Sequence, residues 1–165
     1  MASRVMLVLG CVMMLQAPPT GKVDSTFDKS ADFAALRTYK WLPGTPAFNP
    51  VVHEMIVAAV EAEMDDLGFT KAESGADVTL AYYAMAITNV DLEALDKIER
   101  EGTSRAAANK TLGKLVIVMR NAAQKQIWTA ATREYLEPTV EKFRAPLRIV
   151  TGRLFETYPT RRPRG

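Results

Sequence analysis

The sequence predicts an α+β domain in which two main helices pack on a mostly antiparallel sheet of about five or six strands. Three observations lead to this prediction: an amphipathic helix over 50–67, several short β-branched or aromatic segments, and a second amphipathic helix before Pro159. The elements follow the order β-β-α-β-β-(insert)-β-β-α after an N-terminal signal peptide. This order is typical of an α+β layer structure.

The composition limits the class of protein. The chain has 165 residues with a formal charge of +2, 48% apolar residues and 24% charged residues. These values are typical of one soluble globular domain, and they exclude a disordered chain, a collagen-like repeat and a polytopic membrane protein. The near-neutral charge gives no reason to expect nucleic-acid binding. The single cysteine excludes a disulfide framework and a multi-cysteine metal site.

Residues 1–21 predict a signal peptide. Arg4 gives a short basic start, and Val5 to Leu15 form an uncharged apolar run of 11 residues. Such a run is too short to cross ~30 Å of hydrocarbon as a helix, but it suits the apolar region of a secretory signal. The segment 16–21 then breaks the helix, as a cleavage region does. The sequence therefore predicts a periplasmic or secreted protein.

Cys11 leaves two alternatives for the N-terminus. The segment Val8-Leu9-Gly10-Cys11 resembles a bacterial lipobox, which predicts a membrane-anchored lipoprotein through lipidation of Cys11. Alternatively, Cys11 lies within the apolar region and is removed with the signal, which the length of that region favours. In either case the mature protein holds no free thiol, which suits an oxidising compartment outside the cytosol.

The mature chain is interpreted as a single domain over 22–159, followed by a basic tail over 160–165. No internal repeat or long linker divides the domain, and its length is sufficient for a core without disulfides. We expect the tail, which contains Arg161, Arg162 and Arg164, to be solvated.

The first strands are predicted at 23–27 and 38–42, because both segments are rich in β-branched and aromatic residues. Asp28-Lys29-Ser30 favours a turn between them, and 32–36 favours one helical turn.

The segment 50–67 predicts the longest helix. Asn49 is a suitable N-cap, and Pro50 suits the first helical position because its missing N–H has no partner there. At 100° per residue one face is apolar, with Val52, Ile56, Val60, Met64 and Leu67. Gly68 follows the helix end, where a left-handed residue is required, and Phe69 can then fold back on Met64.

Four strands are predicted in the second half of the chain. The segments 69–73 and 76–88 are interpreted as strands joined by a tight turn at Ser74-Gly75. The second of them is apolar on both faces, which predicts a central strand. The segments 115–119 and 127–132 predict an antiparallel hairpin.

The insert 91–112 and the final helix complete the predicted elements. The insert begins with a short helix whose apolar residues share a face and form the candidate partner surface: Leu92, Leu95 and Ile98. The final helix, over 146–158, has a core stripe of Leu147, Val150, Leu154 and Tyr158.

The chain offers few groups for catalysis. His53 is the only histidine, and its place near the apolar stripe favours a half-buried packing role. No Gly-x-Ser-x-Gly motif is present, and one histidine is too few for a histidine-based zinc site. Asp24, Asp28 and Asp32 recur every four residues, but the pattern suits caps and turns better than a calcium loop. The sequence therefore predicts no cofactor, no metal and no enzyme.

An alternative function, that of an exported carboxylate-dependent hydrolase, would use Glu63 and Asp77 as its candidate acids. Glu63 lies near the apolar stripe of the long helix, where we expect it to snorkel towards water or to pair with a basic residue of the sheet. An exported carboxylate-dependent hydrolase would require two such acids facing one pocket at ~5–9.5 Å.

A family resemblance rests on an ordered set of short motifs. They are Asp28-Lys29-Ser30-Ala31-Asp32-Phe33, Thr38-Tyr39-Lys40-Trp41-Leu42-Pro43, Asn49-Pro50, Gly68-Phe69, Ala76-Asp77, Ile127-Trp128 and Tyr158-Pro159. Together with the leader, this set resembles the bacterial envelope proteins known as domain of unknown function 4136, over about residues 22–159. The resemblance implies a fold and an envelope location, and it carries over no catalytic residue.

The sequence therefore predicts an exported bacterial cell-envelope protein that is a non-catalytic binding or assembly module. The leader and the small inventory of catalytic groups motivate this prediction. We expect its partner to be an envelope protein, a lipid or a wall component, with membrane contact only through a lipid anchor. The hydrolase is the alternative function.

Overall fold

A computed structural model describes residues 21–90, 109–136 and 144–161 of the chain. These residues form six strands and two helices, which confirms the predicted α+β class. The elements are β1 (Val23–Phe27), β2 (Thr38–Trp41), α1 (Pro50–Asp66), β3 (Thr70–Lys71), β4 (Val78–Val90), β5 (Asn109–Asn121), β6 (Gln126–Leu136) and α2 (Arg144–Phe155).

The six described strands form one sheet in the order β1-β6-β5-β4-β2-β3. The pairings β1–β6, β6–β5 and β5–β4 are antiparallel, whereas β2 runs parallel to both of its neighbours. The sheet is therefore mostly antiparallel, as predicted. The prediction of a central strand at 76–88 is also confirmed, because β4 lies between β5 and β2.

The predicted turn between β3 and β4 does not make a hairpin. β2 lies between these two strands, with Tyr39 opposite Lys71 on one side and opposite Val78 on the other. The hairpin prediction rested on the turn at Ser74-Gly75, where Gly75 has a positive φ of 63°. The chain turns there and crosses β2 instead of reversing beside β3, because β3 and β4 both run parallel to β2, on opposite sides of it.

Both ends of α1 form as the local sequence predicts. The side chain of Asn49 accepts hydrogen bonds from the N–H groups of Val51 and Val52. After the helix, the N–H of Phe69 donates to the carbonyl of Met64 at 2.9 Å, and the N–H of Gly68 donates to the carbonyl of Asp65 at 2.9 Å. This pair of bonds, with Gly68 at φ 82°, is a Schellman motif.

The two helices pack on one face of the sheet. The core cluster combines residues of α1 and α2 with alternate residues of the strands, and its largest fully buried side chains include Trp128, Tyr39, Tyr158, Phe155 and Met64. Trp128 contacts both Phe155 and Tyr158, with ring centroids 5.2 Å and 5.6 Å apart. Of the stripe predicted for the final helix, Val150 and Leu154 are buried on α2 and Leu147 is partly buried. Tyr158 is also buried, but it follows the end of the helix at Phe155.

The length and hydropathy of α1 and α2 decide whether either helix could cross a membrane. Neither of these described helices is long and apolar enough to cross a bilayer.

Candidate functional site

Some predicted sites fall outside the described residues. These are the candidate lipidation site, Cys11, and the candidate partner surface, Leu92, Leu95 and Ile98, whose roles stay predictions. Among the residues that the structure does describe, no three His, Cys, Asp or Glu side chains are grouped so as to hold a metal ion.

Glu63 forms a buried ion pair with Arg161, which contradicts the expectations for both residues. Oε2 of Glu63 lies 2.9 Å from Nη2 of Arg161, and the two side chains are 10% and 7% exposed. Asp66 approaches the same guanidinium at 3.5 Å. Glu63 does not snorkel because a desolvated carboxylate is stabilised by a cation partner. That partner comes from the C-terminal end of the domain, so Arg161 is not solvated.

The carboxylate of Asp77 holds the start of β2 in place. Its Oδ2 accepts hydrogen bonds from the N–H groups of Arg37 and Thr38 and from the Thr38 hydroxyl, each at 2.9 Å. In return, the N–H of Asp77 donates to Oγ1 of Thr38 at 3.0 Å. These bonds, with that from Arg37 the strongest, hold the pKa of Asp77 below its usual range. A carboxylate kept ionised by three donors is poorly suited to act as a general acid.

Asp28 organises the turn that follows β1. Its Oδ1 accepts hydrogen bonds from the Ser30 N–H at 2.9 Å and the Ser30 hydroxyl at 2.6 Å, as predicted for a turn residue. Its Oδ2 lies 2.6 Å from Nζ of Lys125. These contacts, with that of Lys125 the strongest, hold the pKa of the Asp28 carboxyl well below its usual range.

A cavity of about 260 Å³ lies beside this turn. It is lined by Thr26, Phe27, Asp28, Lys125, Gln126 and Ile127. Its one carboxylate is already paired with a lysine, and neither Glu63 nor Asp77 reaches it. This cavity therefore lacks the two facing acids that a carboxylate-dependent hydrolase requires.

Glu61 connects α1 to the sheet edge. Its Oε1 accepts hydrogen bonds from Nε1 of Trp41 at 2.8 Å and from Nζ of Lys71 at 2.6 Å. Burial raises the pKa of Glu61, but the bonds from Lys71 and Trp41 together lower it by more, so it lies below its usual value. Tyr39 packs edge-to-face against Trp41, with ring centroids 6.4 Å apart. Burial, and then the charges of Glu61 and Asp65, raise the pKa of Tyr39 to about 12.

His53 holds the loop before α1 against β4. Its Nδ1 lies 2.5 Å from the hydroxyl of Tyr82, and the two rings stack with centroids 5.8 Å apart. The same hydroxyl accepts the N–H of Ala47 at 3.1 Å. The Tyr82 hydroxyl therefore bridges the His53 ring and the loop before α1. His53 is half-buried, as predicted, and its contacts are those of a packing residue.

The comparison with known protein families decides where the chain belongs. The family described as domain of unknown function (DUF4136) matches residues 23–160. The chain belongs to this family. No curated protein matches it.

Two solved structures are similar to this chain at low sequence identity. A PDZ domain protein from Parabacteroides distasonis is similar with a TM-score of 0.61 and 14% identity; the match covers 88% of this chain and 38% of that one. The PelC dodecamer from Paraburkholderia phytofirmans is similar with a TM-score of 0.48 and 10% identity, over 82% of this chain and 91% of that one. The first likeness shows the fold alone, and the chain spans well under half of that protein.

The DUF4136 motifs are explained by packing and turn formation in this structure. Asp28 fixes the first turn, and Phe33 packs edge-to-face on Tyr158 with ring centroids 5.4 Å apart. Tyr39 is 1% exposed within the core, and Trp41 donates to Glu61. These contacts stabilise the fold.

The sheet face turned away from the helices carries a surface that the sequence analysis missed. This outer sheet face consists of alternate residues of five strands: Asp24, Thr26, Lys40, Thr79, Ala81, Tyr83, Met85, Lys114, Val116, Val118, Arg120, Thr129, Ala131 and Arg133. The core cluster that the helices cover includes none of them. No described helix packs on the outer sheet face.

The centre of the outer sheet face is buried, and its basic residues lie towards the two ends of the strands. Ala81 and Val118 are 1% and 7% exposed, whereas Met85 at one end is 53% exposed. Lys114 and Arg133 pair directly across strands at that end. The sequence did carry a signal, because Lys114, Val116, Val118 and Arg120 alternate with core residues on β5. The apolar run 115–119 concealed this two-residue period.

Proposed function

We propose that this DUF4136 protein is an exported cell-envelope protein that acts as a non-catalytic binding or assembly module. The outer sheet face is the observation that carries the proposal. The exposed side chain of Met85 lies beside Lys114 and Arg133 on this face, and methionine and arginine are enriched at protein interfaces. The apolar leader over 1–21 supports export.

The described acids support binding over hydrolysis. Asp28, Glu61, Glu63 and Asp77 each accept a hydrogen bond or pair with a cation that fixes part of the fold. The hydrolase alternative therefore has no supporting geometry among the described residues.

The proposal is tested by following the chain in a bacterial host with its own leader. We expect fractionation to find it in the envelope, and mass spectrometry of its N-terminus to show a processed leader. A photo-cross-linking residue at Met85, on the outer sheet face, should capture a partner, whereas one at Ala123, in the exposed turn after β5, should not. An unprocessed chain in the cytosol, or equal capture at both positions, would contradict the proposal. So would hydrolase activity of the purified protein that Asp77→Asn abolishes.

A further inference from the structure

β1 is the longer of the two edge strands of the described sheet. It pairs with β6 on one side only, whereas β3, at the opposite edge, pairs over two residues. Asp24 to Phe27 are exposed. β1 contains neither a proline nor a bulge, two features by which natural edge strands avoid pairing with other chains. The side of β1 away from β6, its free side, is therefore a template for a further strand.

Alternate residues of β1 direct their backbone N–H and C=O groups to the free side. The N–H of Asp28 donates to the carbonyl of Ile127 at 2.8 Å, and the register of β1 places these two residues opposite each other. In antiparallel strands, opposite residues that exchange hydrogen bonds alternate with opposite residues that do not. Every second residue counted back from Asp28 therefore bonds to β6. The residues between them present their backbone groups to the free side, and these are Val23, Ser25 and Phe27.

A second copy of β1 satisfies all three of these residues at once. If it lies antiparallel with a two-fold axis at Ser25, Ser25 faces Ser25 of the second copy, and Val23 faces Phe27 of the second copy. Each such pair exchanges two hydrogen bonds, and a shift of two residues in either direction loses one of the three pairs. The side chain of Phe27, which is 46% exposed, gains a β-branched neighbour across the strands, and such pairs stabilise a sheet.

The other face of β1 is complementary in the same register. Asp24 lies opposite Thr26 of the second copy, whose hydroxyl can donate to the carboxylate. Lys22 lies opposite Asp28 of the second copy, so unlike charges meet at both ends of the contact. An unrelated extended peptide would match the backbone groups but not these side chains. The observations therefore favour a second copy of the same chain as the occupant.

We propose that two copies of this chain associate through the free side of β1, about a two-fold axis at Ser25, so that their sheets become continuous. The same patch serves both copies, as in most soluble dimers. The inference goes beyond the proposed function, and it does not require a partner at Met85. A contact of one strand with another is smaller than the interface of a permanent dimer, so the dimer forms reversibly and depends on concentration.

Disulfide trapping tests the register of this contact. In the proposed dimer the two Cα atoms at position 25 lie ~5.5 Å apart, within the range that a disulfide spans. Ser25→Cys, in the full chain produced with its own leader and purified from the envelope, should therefore form a covalent dimer when it is oxidised. The parent, whose one cysteine is Cys11, is the control and should form none.

Two further variants distinguish the register from random collision. Position 24 of one copy and position 24 of the other are diagonal neighbours ~7–8 Å apart, which is too far for a disulfide. The same holds for position 26. Asp24→Cys and Thr26→Cys should therefore not dimerise alone, whereas a mixture of the two should give a covalent heterodimer, since these positions lie directly opposite each other.

Sedimentation velocity tests the role of the backbone. Ser25→Pro removes an N–H that points away from β6, and proline is tolerated on edge strands. It should weaken dimerisation at least about tenfold, because both central hydrogen bonds are lost. Ser25→Ala keeps the N–H and should dimerise like the parent. Circular dichroism checks that each variant folds. If Ser25→Pro does not fold, the cysteine variants, which keep every backbone group, decide the question.

Three outcomes would overturn the proposal: no covalent dimer of Ser25→Cys, equal yields from Ser25→Cys and Asp24→Cys, or no heterodimer from the mixed variants. If Ser25→Cys stays monomeric while a cross-linker at Met85 captures an envelope protein, the β1 dimer is wrong and the proposed function stands. If Ser25→Cys dimerises while Met85 captures nothing, the β1 dimer stands and the proposed function is wrong.

Discussion

Glu63 of α1 and Arg161, the last described residue, form an ion pair 2.9 Å long in which both side chains are almost fully buried. The pair ties the end of the domain to its longest helix. Breaking a buried pair by removing one partner leaves a charge without compensation, which is far more destabilising than losing an exposed pair.

Arg161→Met should therefore lower the free energy of unfolding by about 3 kcal/mol. Replacing both Arg161 and Glu63 with Met should cost less than Arg161→Met alone, because no buried charge remains. Lys22→Met is the control, since the Lys22–Asp24 pair is exposed and should contribute less than about 0.5 kcal/mol. Urea denaturation measures all three. Equal effects of Arg161→Met and Lys22→Met would show that the buried pair does not stabilise the domain.

The carboxylate of Asp77 predicts a loss of stability in acid. Its folded-state pKa is lowered, first by the hydrogen bond from Arg37. Its contribution is therefore complete above the unfolded pKa of ~3.9 and disappears as the pH falls through the folded value. Asp77→Asn should be less stable than the parent at neutral pH, and the difference should shrink below about pH 4. Thr38→Val, which removes one of three donors, should give a smaller loss. A constant difference at all pH values would contradict this.

Tyr39 predicts a late alkaline transition. Burial raises its pKa to about 12, so the stability that its neutral form contributes is present below ~10 and is lost as the pH rises through the folded value. In an ultraviolet titration, Tyr39→Phe should give the same phenolate absorbance as the parent up to about pH 11. A difference of one phenolate should appear only above that. A difference already at pH ~10 would show that Tyr39 is accessible to solvent.

Replacing Gly44 with alanine should destabilise the fold more than the same substitution at Gly68. A Cβ at Gly44 would lie 2.0 Å from the carbonyl oxygen of Tyr82, whereas a Cβ at Gly68 would meet nothing within 4 Å. Gly68→Ala should therefore cost about 1 kcal/mol, from backbone strain at positive φ alone. Gly44→Ala forces the segment after β2 away from β4 and should cost about 3 kcal/mol. Thermal or urea unfolding compares them, and the reverse order would contradict the packing described for this edge.

Local sequence signals predicted the local structure well. Asn49 and Gly68 marked both ends of α1, and the β-branched and aromatic runs located β1 and β2. Each of these signals acts within a few residues, so no knowledge of the tertiary structure was required. The candidate central strand was also identified, because a strand with two apolar faces is stable only between neighbours.

Long-range relationships were predicted poorly. The turn at Ser74-Gly75 is compatible both with a hairpin and with a crossing over β2, and only the path of α1 decides between them. The partner of Glu63 was sought in the sheet or in solvent, because Arg161 lies in a basic segment that is typical of a solvated chain end. The basic ends of the outer sheet face come from three strands, so their charges are brought together only by the register of the sheet.

Cross-linking in the intact envelope tests the proposed binding role most directly. A photo-cross-linking residue at Met85, which is 53% exposed, should capture one defined partner, whereas one at Ala123, in the exposed turn after β5, should capture none. Equal capture at both positions, or capture at neither, would contradict a binding role for this part of the molecule.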